Sequence, residues 1–429
     1  MRLVSHRTPR VRTSFTEALA GGLAPDGGLW VPEPIACFRD VSRLLELPSS
    51  DRAVGILHRL LGDEWGRSEV ETLVREALEI PMPLVQLRDR LFGLELFHGP
   101  SLGFADIGVR FLARALALRR EREGMKLRTV LVATCGSTGA AVAEAFRGMR
   151  GIRTVILYPQ GRLTPLREAQ IASWGGSVLA HAVDGSYDDC LRLVQRAFED
   201  AALVEKLGLV SADALNIGRV LAQTLIFFEA SAQLQALGLR EAPLFALPCG
   251  TCGLLFAGQW ARAMGLPVKA FVMACAGPRT ALDLLGAGQS EARPLPQGLV
   301  PGLEVADPPH WARLQHLFRG DAGALRATLR WGALDERGIR RAMWELHGWG
   351  FPVEPHTATA FGVLEARRGL AEVGIVLATA HPATWADGFQ RDMNVALALP
   401  PALLEVQRRP LRAQPMEARW EALREVLEG

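Results

Sequence analysis

Three loops of the sequence carry small polar side chains at the ends of short apolar runs, and the first two also contain glycines. They read TCGSTG at 134–139, PCGTCG at 248–253 and ATAHPA at 378–383. A loop of this kind ahead of a helix offers backbone N–H groups and hydroxyl donors to an anion such as a carboxylate or a phosphate. The first two loops therefore predict anion binding, and Thr379 places another hydroxyl at a strand end.

Each loop also has a structural interpretation. In the first loop a serine or threonine could cap a helix, although one residue would suffice, so the density of small polar residues favours a ligand. In the second loop the spacing of Cys249 and Cys252 would suit a redox pair or half of a metal site. No second ligand pair follows, so two small residues in a tight loop are the simpler interpretation, and we predict no metal. Thr379 could cap the next helix, and a lone histidine near a helix start, His356, is more often structural than an acid–base group.

Alternating strands and helices must position these loops from about residue 91 onward. Apolar runs of four to six residues between helical patterns are typical of parallel strands covered on both faces. They lie at 129–133, 154–158, 177–180, 244–247, 268–273 and 374–378. Helices are predicted over 14–22, 163–174 and 187–202, and another begins at 140. The fold class is therefore α/β, in which ligands bind at loops that follow the carboxyl ends of the strands.

Composition excludes several classes of protein. The 429 residues include 48 basic and 46 acidic side chains, and 49% are apolar. A disordered chain would be poorer in apolar residues, and a nucleic-acid or membrane-surface binder would carry a larger charge excess. The sequence contains no apolar run of 18 residues, its first residues lack the apolar core of a signal peptide, and its six cysteines are scattered. We therefore expect a cytoplasmic protein with no nucleic-acid or membrane partner.

Lysine is scarce in this chain. Arginine supplies 45 of the 48 basic residues, and the three lysines are Lys126, Lys206 and Lys269. Two of them flank predicted strands, and Lys206 lies at a predicted helix end. None belongs to the three loops, so chemistry that needs a lysine amine has very few candidates.

Beyond the three loops, further segments make a family recognisable. They are FTEAL at 15–19, DGGLWVP at 26–32, ELFHGPSL at 95–102, LYP at 157–159, DGSYDDC at 184–190, EPHT at 354–357 and TAHPA at 379–383. With these segments the chain resembles threonine synthase, a pyridoxal-phosphate (PLP) enzyme of fold type II, along almost its whole length. The resemblance implies a tryptophan synthase β-like fold with two parallel-type sheet subdomains and an N-terminal helical domain. It implies an N-terminal domain at 1–90 and a PLP-binding catalytic domain at 91–429, with a small mobile subdomain at about 125–210.

The resemblance also implies roles for the loops. The first would hold the carboxylate of a small amino-acid substrate and lie beside the PLP 3′-oxygen, the second would bind the PLP phosphate, and Thr379 would hydrogen-bond the pyridine nitrogen. A neutral hydroxyl at that nitrogen favours elimination and replacement chemistry. The implied substrate-binding residues are Thr134, Cys135, Gly136 and Thr138, and the implied cofactor-binding residues are Ser137, Gly250, Thr251, Cys252, Gly253 and Thr379. The implied assembly is a monomer or a homodimer.

One departure from the family is central. The family's Schiff-base lysine lies between a phenylalanine and an aspartate, and here Ala105 stands between Phe104 and Asp106. A methyl group cannot form an imine or move protons, so PLP is expected to bind non-covalently or as an external aldimine. Thr384 stands where the family often has a lysine that helps to hold a phosphorylated substrate, which argues against O-phosphohomoserine as the substrate.

Two main hypotheses follow. In the first, the natural chain has a lysine at 105 and is a PLP-dependent lyase or replacement enzyme, and Ala105 is a laboratory substitution. In the second, Ala105 is natural, and this paralogue binds PLP, a PLP–amino acid adduct or another small anion as a sensor, partner or unusual catalyst. Cys135 would then be a nucleophile if the helix N-terminus lowers its pKa, or else an inert buried thiol. A metal or redox protein that uses Cys249 and Cys252 is a third possibility.

Overall fold

A computed structural model describes residues 1–123, 128–276, 299–300 and 308–429 of the chain. Its strands, numbered in chain order, are β1 Arg2–Ser5, β2 Arg12–Ser14, β3 Trp30–Pro32, β4 Leu84–Arg88, β5 Leu91–Glu95, β6 Arg128–Ala133, β7 Ile152–Pro159, β8 Val178–Asp184, β9 Val210–Ser211, β10 Leu244–Pro248, β11 Ala270–Ala276, β12 Leu329–Leu334, β13 Gly374–Ala378 and β14 Gln414–Glu417.

Helices surround these strands. They are α1 Phe15–Gly21, α2 Val41–Leu45, α3 Ser49–Leu61, α4 Arg67–Ala77, α5 Ala105–Glu123, α6 Ser137–Phe146, α7 Pro165–Ala172, α8 Tyr187–Glu199, α9 Ala201–Leu207, α10 Ile217–Ala236, α11 Gly253–Ala263, α12 Trp311–Leu317, α13 Ala322–Ala327, α14 Glu336–Gly348, α15 Pro355–Arg367, a short 3-10 helix Pro382–Trp385, α16 Ala386–Met393, α17 Pro401–Arg408 and α18 Trp420–Glu428. Over the described part of the chain, no helix is both long and apolar enough to cross a membrane.

The larger sheet carries two of the three loops. Its strand order is β12-β11-β10-β13-β5-β4, and all neighbours pair in parallel except the hairpin of β4 and β5. Strand β13 lies directly between β10 and β5, so the carboxyl ends of these three strands meet at one edge of the sheet. The loops at 248–253 and 378–383 follow β10 and β13, and therefore lie side by side.

The smaller sheet carries the remaining loop. Its order is β14-β8-β7-β6-β9, and every neighbouring pair is parallel. Strand β6 leads directly into the loop at 134–139. A third, antiparallel sheet of β2, β1 and β3 belongs to the N-terminal part. The predicted α/β class with two parallel-type sheets is confirmed, while the domain boundaries and the mobility of 125–210 stay predictions.

Some predicted boundaries were wrong. The helix predicted over 187–202 is two helices, because α8 ends at Glu199 and the side chain of Asp200 then accepts a hydrogen bond from the N–H of Leu203 to begin α9. A capping aspartate thus interrupts a continuous amphipathic pattern. The helix predicted to begin at 140 begins at Ser137, so half of that polar loop forms its first turn. The strand predicted from 268 begins at Ala270.

Helices α5 and α10 pack against each other. Most side chains of α10 are buried, and its packing against α5 is unusually close. A methyl group added at Gly108 in α5 would lie only 2.9 Å from the carbonyl oxygen of Arg219 in α10. A side chain at Gly108 would force these helices apart, so glycine here fixes the position of α5, which begins at Ala105.

Candidate functional site

The segment before α5 runs alongside the segment after β13. The N–H of Phe104 donates to the carbonyl oxygen of Thr379 at 2.8 Å, and the N–H of His381 donates to that of Leu102 at 3.0 Å. This short antiparallel pairing places Ala105 next to the loop of Thr379. A methyl group added at Gly103 would lie 3.6 Å from Cβ of Ser137, so the first loop reaches the same place.

The first loop is shaped by the buried hydroxyl of Thr134. Its Oγ1 accepts hydrogen bonds from the N–H groups of Gly136 at 3.1 Å and Gly139 at 3.0 Å. Gly136 is the N-cap of α6, so neither Ser137 nor Thr138 caps this helix, and the capping interpretation of them is wrong. The hydroxyl of Thr134 orders the loop, while the half-buried side chains of Ser137 and Thr138 lie at the start of the helix.

Cys135 does not have the electrostatics of a nucleophile. Burial raises the pKa of its thiol to about 11. The hypothesis of a helix-activated thiolate needs the opposite shift, because the thiolate is the reactive form. The structure therefore supports the alternative of an inert thiol at Cys135.

The second loop leads into α11 without a side-chain cap. Cys252 is its N-cap, with a left-handed φ of +61°, and its side chain does not bond the helix start. The N–H of His310 donates to the carbonyl oxygen of Thr251 at 3.2 Å, which ties the loop to α12. The first turn of α11 therefore keeps N–H groups available for an anion.

His310 places an unused donor at this helix start. Arg313 Nη1 donates to its Nδ1 at 3.0 Å, so the proton of the neutral ring resides on Nε2. Nε2 is buried and has no hydrogen-bond partner, and a methyl group added at Gly253 would lie 3.2 Å from it. Burial and the charge of Arg313 hold the imidazole pKa well below its usual value; the carbonyl of Ala214 lies near enough to oppose this shift, but it makes no hydrogen bond of normal geometry with Nε2. His310 is therefore a neutral N–H donor over the N-terminus of α11.

Arg313 holds His310 in this state. Its remaining donors are satisfied by carbonyl oxygens, with Nε to Trp30 at 2.9 Å and Nη2 to Leu215 at 2.7 Å. A buried guanidinium in which each nitrogen donates one hydrogen bond is a positioning group. Sequence reasoning missed both His310 and Arg313, because only the fold brings this segment to residue 253.

Arg219 places a buried cation beside the first loop. Its Nη1 donates to the carbonyl oxygen of Ala212 at 3.0 Å, its Nη2 lies 3.4 Å from Thr138 Oγ1, and its Nε has no partner. Burial lowers its pKa to about 10, and the carboxylate of Asp213 opposes that shift, so it stays charged. Sequence reasoning missed Arg219 too, although a lone arginine within a strongly apolar helix was a usable signal.

Thr379 is held by a buried carboxylate. Its Oγ1 donates to Glu354 Oε1 at 3.1 Å, and its N–H donates to Thr357 Oγ1 at 3.1 Å. Burial alone would raise the pKa of Glu354, but His356, whose Nδ1 lies 2.7 Å from Oε2, and the Thr357 hydroxyl lower it below its usual value. His356 thus holds the carboxylate of Glu354. Because the Thr379 hydroxyl donates its proton to this carboxylate, the lone pairs of Thr379 Oγ1 point away from Glu354.

Position 105 has no amine, and its side chain is fully buried. The Ala105 side chain is 0% exposed and packs in the main hydrophobic core. Lys206 is 61% exposed and pairs with Glu428 at 2.9 Å, and Lys269 is 49% exposed and pairs with Glu372 at 2.6 Å. Lys126 lies outside the described residues.

This site fits PLP that is held without a covalent bond. The open start of α11 and the unused N–H of His310 suit a phosphate dianion, and Thr379 offers a hydroxyl at the adjoining strand end. The alanine at 105 offers no amine for covalent attachment, and that this is the family's lysine position stays a prediction. The predicted residues at 105, 137 and 379 come together around one place, and the loop at 250–253 follows the strand next to that of Thr379; their individual roles stay predictions.

Comparison with known proteins gives a consistent result. The family described as pyridoxal-phosphate dependent enzyme matches residues 77–379, and that described as threonine synthase N terminus matches residues 2–78. The chain is 36% identical to threonine synthase of Haemophilus influenzae over 427 residues, which is 100% of this chain and 99% of that protein. Threonine synthase from Escherichia coli superposes with a TM-score of 0.94 at 36% identity, covering 100% of this chain and 99% of that one. PLP-bound threonine synthase from Brucella melitensis superposes with a TM-score of 0.91 at 29% identity, covering 100% and 98%.

Proposed function

Because the chain belongs to the threonine synthase family of PLP-dependent enzymes, with fold type II, we propose that it binds PLP together with a small amino acid, without a covalent link to the protein. The observation that carries this proposal is the buried Nε2–H of His310 over the uncapped start of α11. A buried donor without a partner is costly, and a phosphate oxygen would remove that cost.

The phosphate would be held by the second loop. The N–H groups of residues 250–253, the hydroxyl of Thr251 and the Nε2–H of His310 would donate to its oxygens. A hydrogen bond to a charged acceptor is worth about 1.5–3 kcal/mol. The neutral state of His310 matters here, since it needs no proton from solution to act as a donor.

The amino acid would bind at the first loop. Its carboxylate would accept hydrogen bonds from N–H groups at the start of α6, and Arg219 would supply the positive charge behind Thr138. The substrate we propose is an amino acid other than O-phosphohomoserine. Thr384 stands where the family often has a lysine, so the cation that would help to hold a phosphorylated substrate is missing.

When bound, PLP supplies an electron-accepting ring to an amino acid. The residues of this chain hold and orient the two partners. Ala105 has no lone pair with which to take a proton from the amino acid or return one. We therefore propose a protein that binds its ligands better than it turns them over.

Cellular location and assembly are part of the same proposal. The near-neutral charge and the unpaired cysteines support a cytoplasmic protein that acts on small molecules, with no nucleic-acid or membrane partner. We propose a monomer or a homodimer.

Calorimetric titration with PLP and with inorganic phosphate tests the proposal. We expect both ligands to bind the purified chain, and His310→Phe to weaken both by about tenfold or more, which corresponds to one charged hydrogen bond. His316→Phe, a substitution in the same helix, is the matched control and should leave both affinities unchanged. No binding of PLP to the unaltered chain, or full affinity in a folded His310→Phe variant, would contradict the proposal.

A second candidate function is the family's lyase or replacement chemistry, with a lysine at position 105 of the natural chain. Similarity over the full length to threonine synthases favours it. A lysine codon at this position in the source genome would decide for it, and an alanine codon would decide for the proposal above.

A further inference from the structure

We propose that Cys249 and Cys252 form a reversible disulfide that controls anion binding at the second loop. Their Sγ atoms lie 3.0 Å apart, and each residue is 2% exposed. A disulfide bond is about 2 Å long, so the sulfurs need to approach each other by only about 1 Å. The formation of the bond follows from this geometry alone, whereas its effect on PLP rests on the proposed function.

The position of Cys249 and Cys252 favours a redox pair over a metal site. Cys252 is the N-cap of α11, which spans Gly253–Ala263. The loop holds the two sulfurs side by side at 3.0 Å, so a thiolate or sulfenic acid formed on one sulfur lies within reach of the other. A metal site would need further ligands, and among the described residues no group of three or more His, Cys, Asp or Glu side chains could hold a metal ion.

The oxidant we name is a peroxide, which is small enough to reach a buried pair. The Cys252 thiolate attacks one peroxide oxygen, the O–O bond breaks, and water leaves after it takes up a proton. The Cys249 sulfur then attacks the Cys252 sulfur, which releases a second water and forms the disulfide. Two thiols lose two electrons and two protons, and one hydrogen peroxide becomes two waters. A small dithiol reverses the reaction by exchange.

Disulfide formation would move the donors of the loop. The N–H of Cys249 is fixed to the carbonyl oxygen of Ala274 at 2.8 Å, and the carbonyl oxygen of Cys252 accepts the first helical bond from Phe256 at 2.9 Å. With both ends held, we expect Gly250 and Thr251 between them to shift as the sulfurs approach. These two residues supply the N–H groups proposed to bind phosphate, and the Thr251 carbonyl oxygen is bonded to His310. We therefore expect phosphate affinity to fall by about tenfold on oxidation.

The test uses the full chain with Cys37→Ser, because Cys37 is exposed and would cross-link molecules. The folded protein is treated with hydrogen peroxide or dithiothreitol, alkylated, digested and analysed by mass spectrometry. Affinities for inorganic phosphate and for PLP are measured in both states. We expect a peptide cross-link between Cys249 and Cys252 after peroxide, its loss after dithiothreitol, and about tenfold weaker binding in the oxidised state.

Two variants serve as controls. Cys249→Ala should make the affinities of the treated and reduced protein equal, whereas Cys275→Ala, a buried cysteine of the neighbouring strand, should keep the difference. Absence of the cross-link in folded protein would overturn the proposal, and so would equal affinities in the two states. If the cross-link forms but neither state binds PLP or phosphate, the proposed function and the control of binding fail, while the disulfide itself stands.

Discussion

Ala105→Lys is the perturbation that tests the site most directly. The alanine methyl is 0% exposed in the main core, so the four added non-hydrogen atoms of lysine must displace neighbours. Overpacking of this kind costs about 2 kcal/mol. A buried lysine amine also prefers to be neutral, and a pKa lowered by about two units corresponds to about 3 kcal/mol.

We therefore expect the PLP-free Ala105→Lys variant to be less stable by about 5 kcal/mol and to melt several degrees lower. Ala105→Met is the matched control, since it adds a side chain of similar length without an amine. It should lose only the packing contribution of about 2 kcal/mol. The difference between the two variants isolates the buried amine and is measurable by calorimetry.

Addition of PLP should then affect Ala105→Lys and Ala105→Met differently. The lysine amine can condense with the PLP aldehyde, so Ala105→Lys should gain a visible absorption band and regain stability. After borohydride reduction and denaturation, its mass should include one PLP. The unaltered chain and Ala105→Met should show neither change. A folded Ala105→Lys protein that binds PLP but forms no covalent bond would refute the assignment of position 105 as the lysine position of the family.

Two further predictions concern charge. Burial raises the pKa of Asp106 to about 6, against hydrogen bonds from Ser101. An unfolded aspartate has a pKa of about 3.9, so the unfolded chain loses this proton first as pH rises. The free energy of unfolding therefore falls between about pH 4 and 6. Above pH 6 it stays lower by about 3 kcal/mol. Asp106→Asn should remove that loss, so in denaturant titrations the variant should be more stable than the parent at pH 8 but not at pH 4. If the stabilities of variant and parent changed equally with pH, the reasoning would be contradicted. Lys206→Arg with Lys269→Arg keeps both surface ion pairs, so PLP affinity by calorimetry should be unchanged, and a weakened affinity would show that one of these lysines serves the site.

The sheet architecture was predictable because it depends on local runs of apolar residues. The strands at 244–247 and 374–378 were found within one residue of their observed bounds, since buried parallel strands are uninterrupted apolar segments. The loops that follow them were found for the same reason. The break at Asp200 was missed, because an aspartate on an amphipathic pattern is as compatible with a helix surface as with a cap.

Residues that act through distant contacts were not predictable. His310 meets Gly253 across a long stretch of sequence, and Arg313 gives it a defined tautomer. Glu354 was part of a recognised motif, yet its role in holding Thr379 depends on two segments that meet only in the folded protein. Such pairings leave no periodicity in the sequence, and one sequence by itself carries no record of which positions contact each other.

The strand order has a consequence for synthesis on the ribosome. Strand β13 lies between β10 and β5, and β14 completes the smaller sheet beside β8, although both strands are made late. Until residues 374–378 have emerged, β5 and β10 each lack a neighbour and expose an unpaired, apolar edge. The pairing of Phe104 with Thr379 has to wait for the same residues. The candidate site is thus among the last regions of the nascent chain to assemble, and chains that stall before residue 374 present two open edges to aggregation and to chaperones.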